Sequence, residues 1–167
     1  MRSPRYVIVG VVAKQSPDVV AGAATFAEHF DAELVCVSVD ASRYPIERHP
    51  DGTVTAASID SDLADDGVLH FDEVIRTRIA EVLAQRPVRW STRALAGNPA
   101  KELSRIATEL AATMIVVGTR NAGLRGSLRE VINGSVAVQL AHRQHRPVVV
   151  IPQHPVDADL SRRGGTD

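Results

Sequence analysis

The chain has 167 residues, a formal net charge of −1, 44% hydrophobic residues and only 4% aromatic ones. This length fits one domain with a single core, and the near-neutral charge removes any global electrostatic case for nucleic acid or a membrane surface. A core so poor in aromatics must be built from Val, Ile, Leu and Ala, as in a buried sheet flanked by Ala-rich helices.

In chain order, "YVIVGVV" (Tyr6–Val12) is a short, β-branched apolar run and reads as a strand buried on both faces. A helix follows in "SPDVVAGAATFAEHF". Ser16 can cap it, Pro17 suits its first position and Asp18 its positive end, with Val19, Ala23, Phe26 and Phe30 on one face. "AELVCVSVD" (Ala32–Asp40) is a second strand holding the one cysteine, Cys36, which has no internal partner and reads as a small buried hydrophobe. Residues 41–67 then break the pattern with two prolines, a Pro-Asp-Gly turn signal and many small polar residues. They are expected to form a long insert loop, either a lid or partly disordered. The acidic residues Asp60, Asp62, Asp65 and Asp66 lack the glycine and glutamate positions of a calcium loop and read as solvated.

Helical periodicity returns in "FDEVIRTRIAEVLAQR", with Val74, Ile75, Ile79, Val82 and Leu83 as the apolar stripe and Pro87 as the stop. "VRWSTRALAG" (Val88–Gly97) alternates in the manner of an edge strand. In "GNPAKELSRIATELAA", Asn98 is a cap, Pro99 takes the first helical position and Glu102 is placed to complete a capping pattern; Leu103, Ile106, Ala107 and Leu110 line one face. "TMIVVGT" is another buried strand, "SVAVQLAHRQH" a helix, and "RPVVVIP" (Arg146–Pro152) a last strand. His142 and His145 suit the negative end of that helix better than a metal, so no metal site is expected. The domain is set at residues 1–153, and the polar stretch beginning at Gln153 gives way to a flexible tail over 154–167.

Strands alternating with helices imply right-handed crossovers and a parallel sheet covered on both faces, an α/β architecture. Ligands of such sheets lie beyond the carboxyl ends of the strands, where the winding reverses. The stretch "VVGTRNAGLRGSLREVINGSV" leaves one of those ends. Its glycines Gly118, Gly123 and Gly126 let backbone N–H groups converge on an anion. Arg120, Arg125 and Arg129 add charge, Ser127 and Glu130 have capping-box spacing, and Gly134-Ser135 leads into the next helix. The same residues also serve a loop whose glycines only make turns. The sequence contains no Gly-x-Ser-x-Gly elbow, phosphate-loop lysine or nucleophile–base pair, so an enzyme is not expected. No apolar run nears the ~20 residues of a membrane span and no signal-peptide cleavage site is present, which makes the expected location cytoplasmic.

Three signatures, "GNPAKELSRIATELAATMIVVGTR", "GSVAVQLAHRQHRPVVVIP" and "AEHFDAELVCVSV", in this order and spacing resemble the universal stress protein family. The resemblance implies a three-layer, Rossmann-like sandwich of the adenine nucleotide alpha hydrolase type. Its five-stranded parallel sheet would have the order 3-2-1-4-5. It also implies a homodimer through the last strand (Pro147–Ile151), unknown protein partners, and in some members ATP or another adenine nucleotide as ligand. Carried onto this chain, the ligand residues would be the backbone of Val12 and Ala13, Asp40 at the ribose or base edge, and Gly118, Arg120, Gly126, Ser127, Gly134 and Ser135 around the phosphates. Two features depart from the nucleotide-binding pattern. The glycine spacing differs, with only "SLREVIN" between Gly126 and Gly134, and the first strand ends in Val11-Val12-Ala13 where those members carry Asp. A valine side chain cannot accept a hydrogen bond. Two readings follow: a non-enzymatic stress-response regulator that binds ATP or another phosphate-bearing ligand, or a member that binds no nucleotide and acts through dimerisation and protein contacts.

Overall fold

A computed structural model describes residues 4–60, 62, 65–119 and 136–153. Five parallel strands, β1 (Tyr6–Gly10), β2 (Glu33–Asp40), β6 (Trp90–Ala96), β7 (Met114–Gly118) and β8 (Val148–Ile151), make the central sheet in the order β6-β2-β1-β7-β8. Counting the parallel strands alone, this is the expected 3-2-1-4-5. Helices α1 (Pro17–His29) and α2 (Glu73–Leu83) cover one face; α3 (Pro99–Glu109) and α4 (Val136–Arg143) cover the other.

The strand pleat sorts the core. On β1, Val7 and Val9 face α1 and α2 while Ile8 faces α3; on β7, Met114 and Val116 take the first face and Ile115 and Val117 the second. Both faces are dry, which is why these strands are continuous apolar runs. Each fully buried Leu or Ile, such as Leu34 or Ile115, contributes about 1.5–3 kcal/mol. Cys36 is among them, and burial pushes its thiol up to about 12, so it stays a neutral hydrophobe.

The helix starts follow their capping chemistry. The Ser16 side chain accepts from the amide of Asp18, with Pro17 next to it, and Asn98 accepts from Lys101 at 2.9 Å, with Pro99 in the first turn. Both helices end alike. Ala32 N–H donates to Ala27 O and Ala112 N–H to Ala107 O, each at 2.9 Å, while Asp31 and Ala111 take φ of +49°. These are Schellman turns with a side chain where glycine is usual. At the end of α2, Arg86 donates to Glu28 at 2.7 Å, to Ala21 O and to Thr25 Oγ1, fastening α2 to α1; the guanidinium holds the Glu28 carboxyl below its ordinary range.

Three sequence expectations are corrected. Residues 41–67 hold a second sheet, antiparallel, in the order β3-β4-β5: β3 (Arg43–Arg48), β4 (Val54–Ser58) and β5 (Gly67–Val68). The Pro-Asp-Gly signal is its hairpin turn, closed by Gly52 N–H to His49 O and His49 N–H to Thr53 O, with Gly52 at φ +85°. Pro45 stands in edge strand β3, where a bulge absorbs the irregularity, and Val54 and Ala56 of β4 point into the core. On α2, Val74 lies off the buried stripe, which runs through Ile75, Ile79 and Leu83. Glu102 is only 2% exposed, and its carboxylate is held by Arg48 at 2.7 Å and Arg105 at 3.0 Å instead of completing the cap. β6 is indeed an edge strand of the main sheet.

Replacing Ala111 with glycine should relieve the left-handed strain at the end of α3. Urea unfolding is expected to show a gain of about 0.5–1 kcal/mol with an unchanged m-value.

Candidate functional site

The strands of the central sheet all point their carboxyl ends the same way, and the winding reverses between β1 and β7. A cavity of about 510 Å³ lies there. Its inner walls are hydrocarbon: Val37 and Val39 from β2, Val117 from β7, and Pro99 and Leu103 from the first turns of α3. Gly10, at the end of β1, keeps the floor open, since a Cβ there would stand 3.3 Å from Leu103 Cδ1. Lys14, Gln15, Thr119 and Gln153 supply the polar groups among the described lining residues.

β1 stops two residues earlier than its apolar run suggests. Val11 N–H still reaches Val37 O at 2.9 Å, but the chain then turns, with Gln15 N–H donating to Val12 O. Val12 is left 61% exposed on the loop between β1 and α1. It lines the cavity, although its peptide oxygen is already taken. The oxygen of Ala13 is taken too, by Arg78 Nη1 of α2 at 2.7 Å. Each of these two carbonyls thus already accepts one hydrogen bond.

Asp40 does not reach the cavity. Its carboxylate accepts from Ser42 N–H at 2.8 Å and from Ser42 Oγ at 2.6 Å, with Arg43 alongside at 3.6 Å. It closes an Asx turn into β3, an outcome of the hairpin that the sequence reading took for a loop. Gly118 does line the cavity, and its missing Cβ is needed for packing: a Cβ would stand 2.6 Å from Gln153 Nε2 and 2.9 Å from Val19 Cγ2. Arg120, Gly126, Ser127, Gly134 and Ser135 lie outside the described residues, as do Gly123, Arg125, Arg129 and the tail over 154–167. The segment that carries them lies between Thr119 and Val136, and both of those residues line the cavity.

Gln153 is a site residue that the sequence reading missed. Its Oε1 accepts from Ser16 N–H at 2.8 Å, its Nε2 donates to Thr119 O, and its own N–H donates to Thr119 Oγ1 at 2.8 Å. One side chain thus joins the start of α1 to the exits of β7 and β8. Its only sequence signal is position, immediately after the last strand.

A second hollow of about 290 Å³ lies on the other side of the β1–α1 loop, between α1 and α2. Among the described residues no cluster of His, Cys, Asp or Glu could hold a metal ion. His142 and His145 are exposed, and Asp65 is paired with Arg43. No helix among the described residues is long and apolar enough to cross a membrane.

Gly118→Ala is expected to cost about 1–3 kcal/mol in equilibrium unfolding, because Gln153 and Val19 must both give way. A stability within error of the parent would remove the packing role.

Similar solved structures share this architecture. A universal stress protein in complex with cAMP is 20% identical with a TM-score of 0.59, the match covering 90% of this chain and 98% of that one. One from Archaeoglobus fulgidus in complex with dAMP is 16% identical with a TM-score of 0.54, covering 89% and 98%. A family protein from Arabidopsis thaliana with AMP bound is 16% identical with a TM-score of 0.55, covering 96% and 98%. At these identities the likeness establishes the fold. No curated protein matches the sequence. The model of the universal stress protein family matches residues 5–152, nearly the whole described core, and the chain belongs to that family.

Proposed function

We propose that the 510 Å³ cavity is an adenine-nucleotide site and that the protein acts as a stress-response regulator by binding rather than by turnover. The observation that carries this reading is the cavity's position and make-up. It sits beyond the carboxyl ends of the three central strands, and a mostly apolar lining meets one cationic side chain, Lys14, among the described lining residues. The walls of Val37, Val39 and Leu103 suit the faces of a purine. Lys14 and the N-terminus of α3 suit a phosphate, the helix end adding about 0.3–1 kcal/mol. The solved relatives with cAMP, dAMP and AMP support the ligand class. With Val12 at the end of the first strand, recognition rests on the purine's apolar faces and on phosphate charge, without a carboxylate at that position.

A second feature supports the companion expectation of a homodimer. β8 is an edge strand of the main sheet, and Val150 on it is 43% exposed. An open apolar edge is a template for pairing with a second copy.

Calorimetry with AMP, ADP, ATP and cAMP should give heat for at least one of them. Lys14→Ala should weaken that binding about three- to tenfold and flatten its salt dependence. Silence toward all four nucleotides would overturn the assignment. For the assembly, Val150→Pro removes a backbone donor on the outer edge of β8, since Pro147 and Ile151 turn their carbonyls to β7, so light scattering should show a dimer becoming a monomer; an unaltered dimer would place the interface elsewhere.

A further inference from the structure

The two hollows at the carboxyl edge of the sheet are neighbours: Val11, Val12 and Gln15 line both. The β1–α1 loop is the ridge between them. Arg78 holds that ridge from the α2 side through its bond to Ala13 O, and Gln15 Nε2 holds it from beneath through Gly10 O at 3.1 Å. Val12 sits on the ridge at 61% exposure. Beyond it the smaller hollow is floored by Val20 of α1 and by Ile75, Ile79 and Val82 of α2, with Arg78 and Glu81 also in its lining. A strip of lining residues, hydrocarbon at Val39, Leu103, Val12 and Ile79 and flanked by Gln15 and Arg78, therefore runs from the larger cavity across the ridge into the smaller one.

We infer that this strip is one bipartite site, whose ligand is an adenine nucleotide carrying an apolar acyl or aryl substituent. The nucleotide occupies the larger cavity and the substituent crosses Val12 into the space between α1 and α2. The inference rests on the nucleotide reading and extends it by naming the ligand class. A plain nucleotide in the larger cavity leaves the apolar floor beyond Val12 uncovered. A saturated or aromatic extension that crosses Val12 covers that floor. Each methylene removed from water strengthens binding about fourfold, so two buried methylenes exceed a tenfold gain. An acid at residue 12 would break the strip; valine completes it.

The probes are AMP, AMP octanoylated on the ribose, AMP benzylated at N6, and the octanoyl sulfamate of adenosine, in which the sulfamate stands in for the phosphate, with octanoate alone as control. At least one derivative should bind ten times more tightly than AMP. Glu81→Trp, at an exposed position of α2, should cover the smaller hollow, erase that gain and leave AMP itself unaffected. Val82→Phe should act alike by filling the hollow from below, and circular dichroism checks that each variant is folded. If AMP binds and no derivative gains, the inference is overturned while the nucleotide reading stands. A gain that survives both variants also overturns it, since the substituent would then lie elsewhere. If neither AMP nor any derivative binds, both readings fall.

Discussion

A parallel sheet covered on both faces leaves its strands no polar side, and that constraint organises this molecule. Every interior position of β1, β2 and β7 must be hydrocarbon, so even Cys36 sits there as a neutral thiol. Polar chemistry is displaced to the ends of the strands, and the shared direction of the strands gathers it at one edge. The cavity owes its place to this geometry before any ligand is considered. The loop residues Val11 to Gln15, the exit at Thr119 and the first turn of α3 meet there because the topology brings their strands side by side.

The inserted hairpin obeys the same rule against unpaired burial. β3 and β4 lie over the α3 side of the sheet, where Val54 joins the core beside Leu95. That covers Glu102, and a buried carboxylate without partners is costly. Arg48 from the hairpin and Arg105 from α3 both engage it, and Arg105 reaches on to Glu109 at 2.7 Å. The ion pair fixes the hairpin to the helix whose opening turn walls the cavity with Pro99 and Leu103. Such a network gives little net stability against a hydrocarbon alternative, but losing one partner would be expensive, so it specifies where the insert docks.

The sequence reveals what is local and hides what is distant. The caps at Ser16 and Asn98, the prolines that follow them and the apolar stripe of α3 rest on neighbouring residues, and they stand where periodicity and capping chemistry put them. The sheet order is legible because strands alternating with helices permit few right-handed windings. The hairpin escapes because Pro45 and its bulge spoil the period-two pattern, even though the turn at Pro50, Asp51 and Gly52 is written plainly. Glu102 looks like a capping residue because its partner Arg48 lies 54 positions away. Asp40 resembles a ligand acid until the hairpin turn claims it. Gln153 bonds to Ser16 across 137 positions, a separation that no window on the chain can span.

Gln153 bears on how a polypeptide of this kind is delimited. The family match ends at residue 152, one short of it. A chain trimmed to that boundary would keep every strand and helix and still release the leading amide of α1, together with both tethers on Thr119. The cut would loosen the cavity's rim while the hydrocarbon interior stayed intact. One glutamine just past the family match thus ties the start of α1 to the exit of β7.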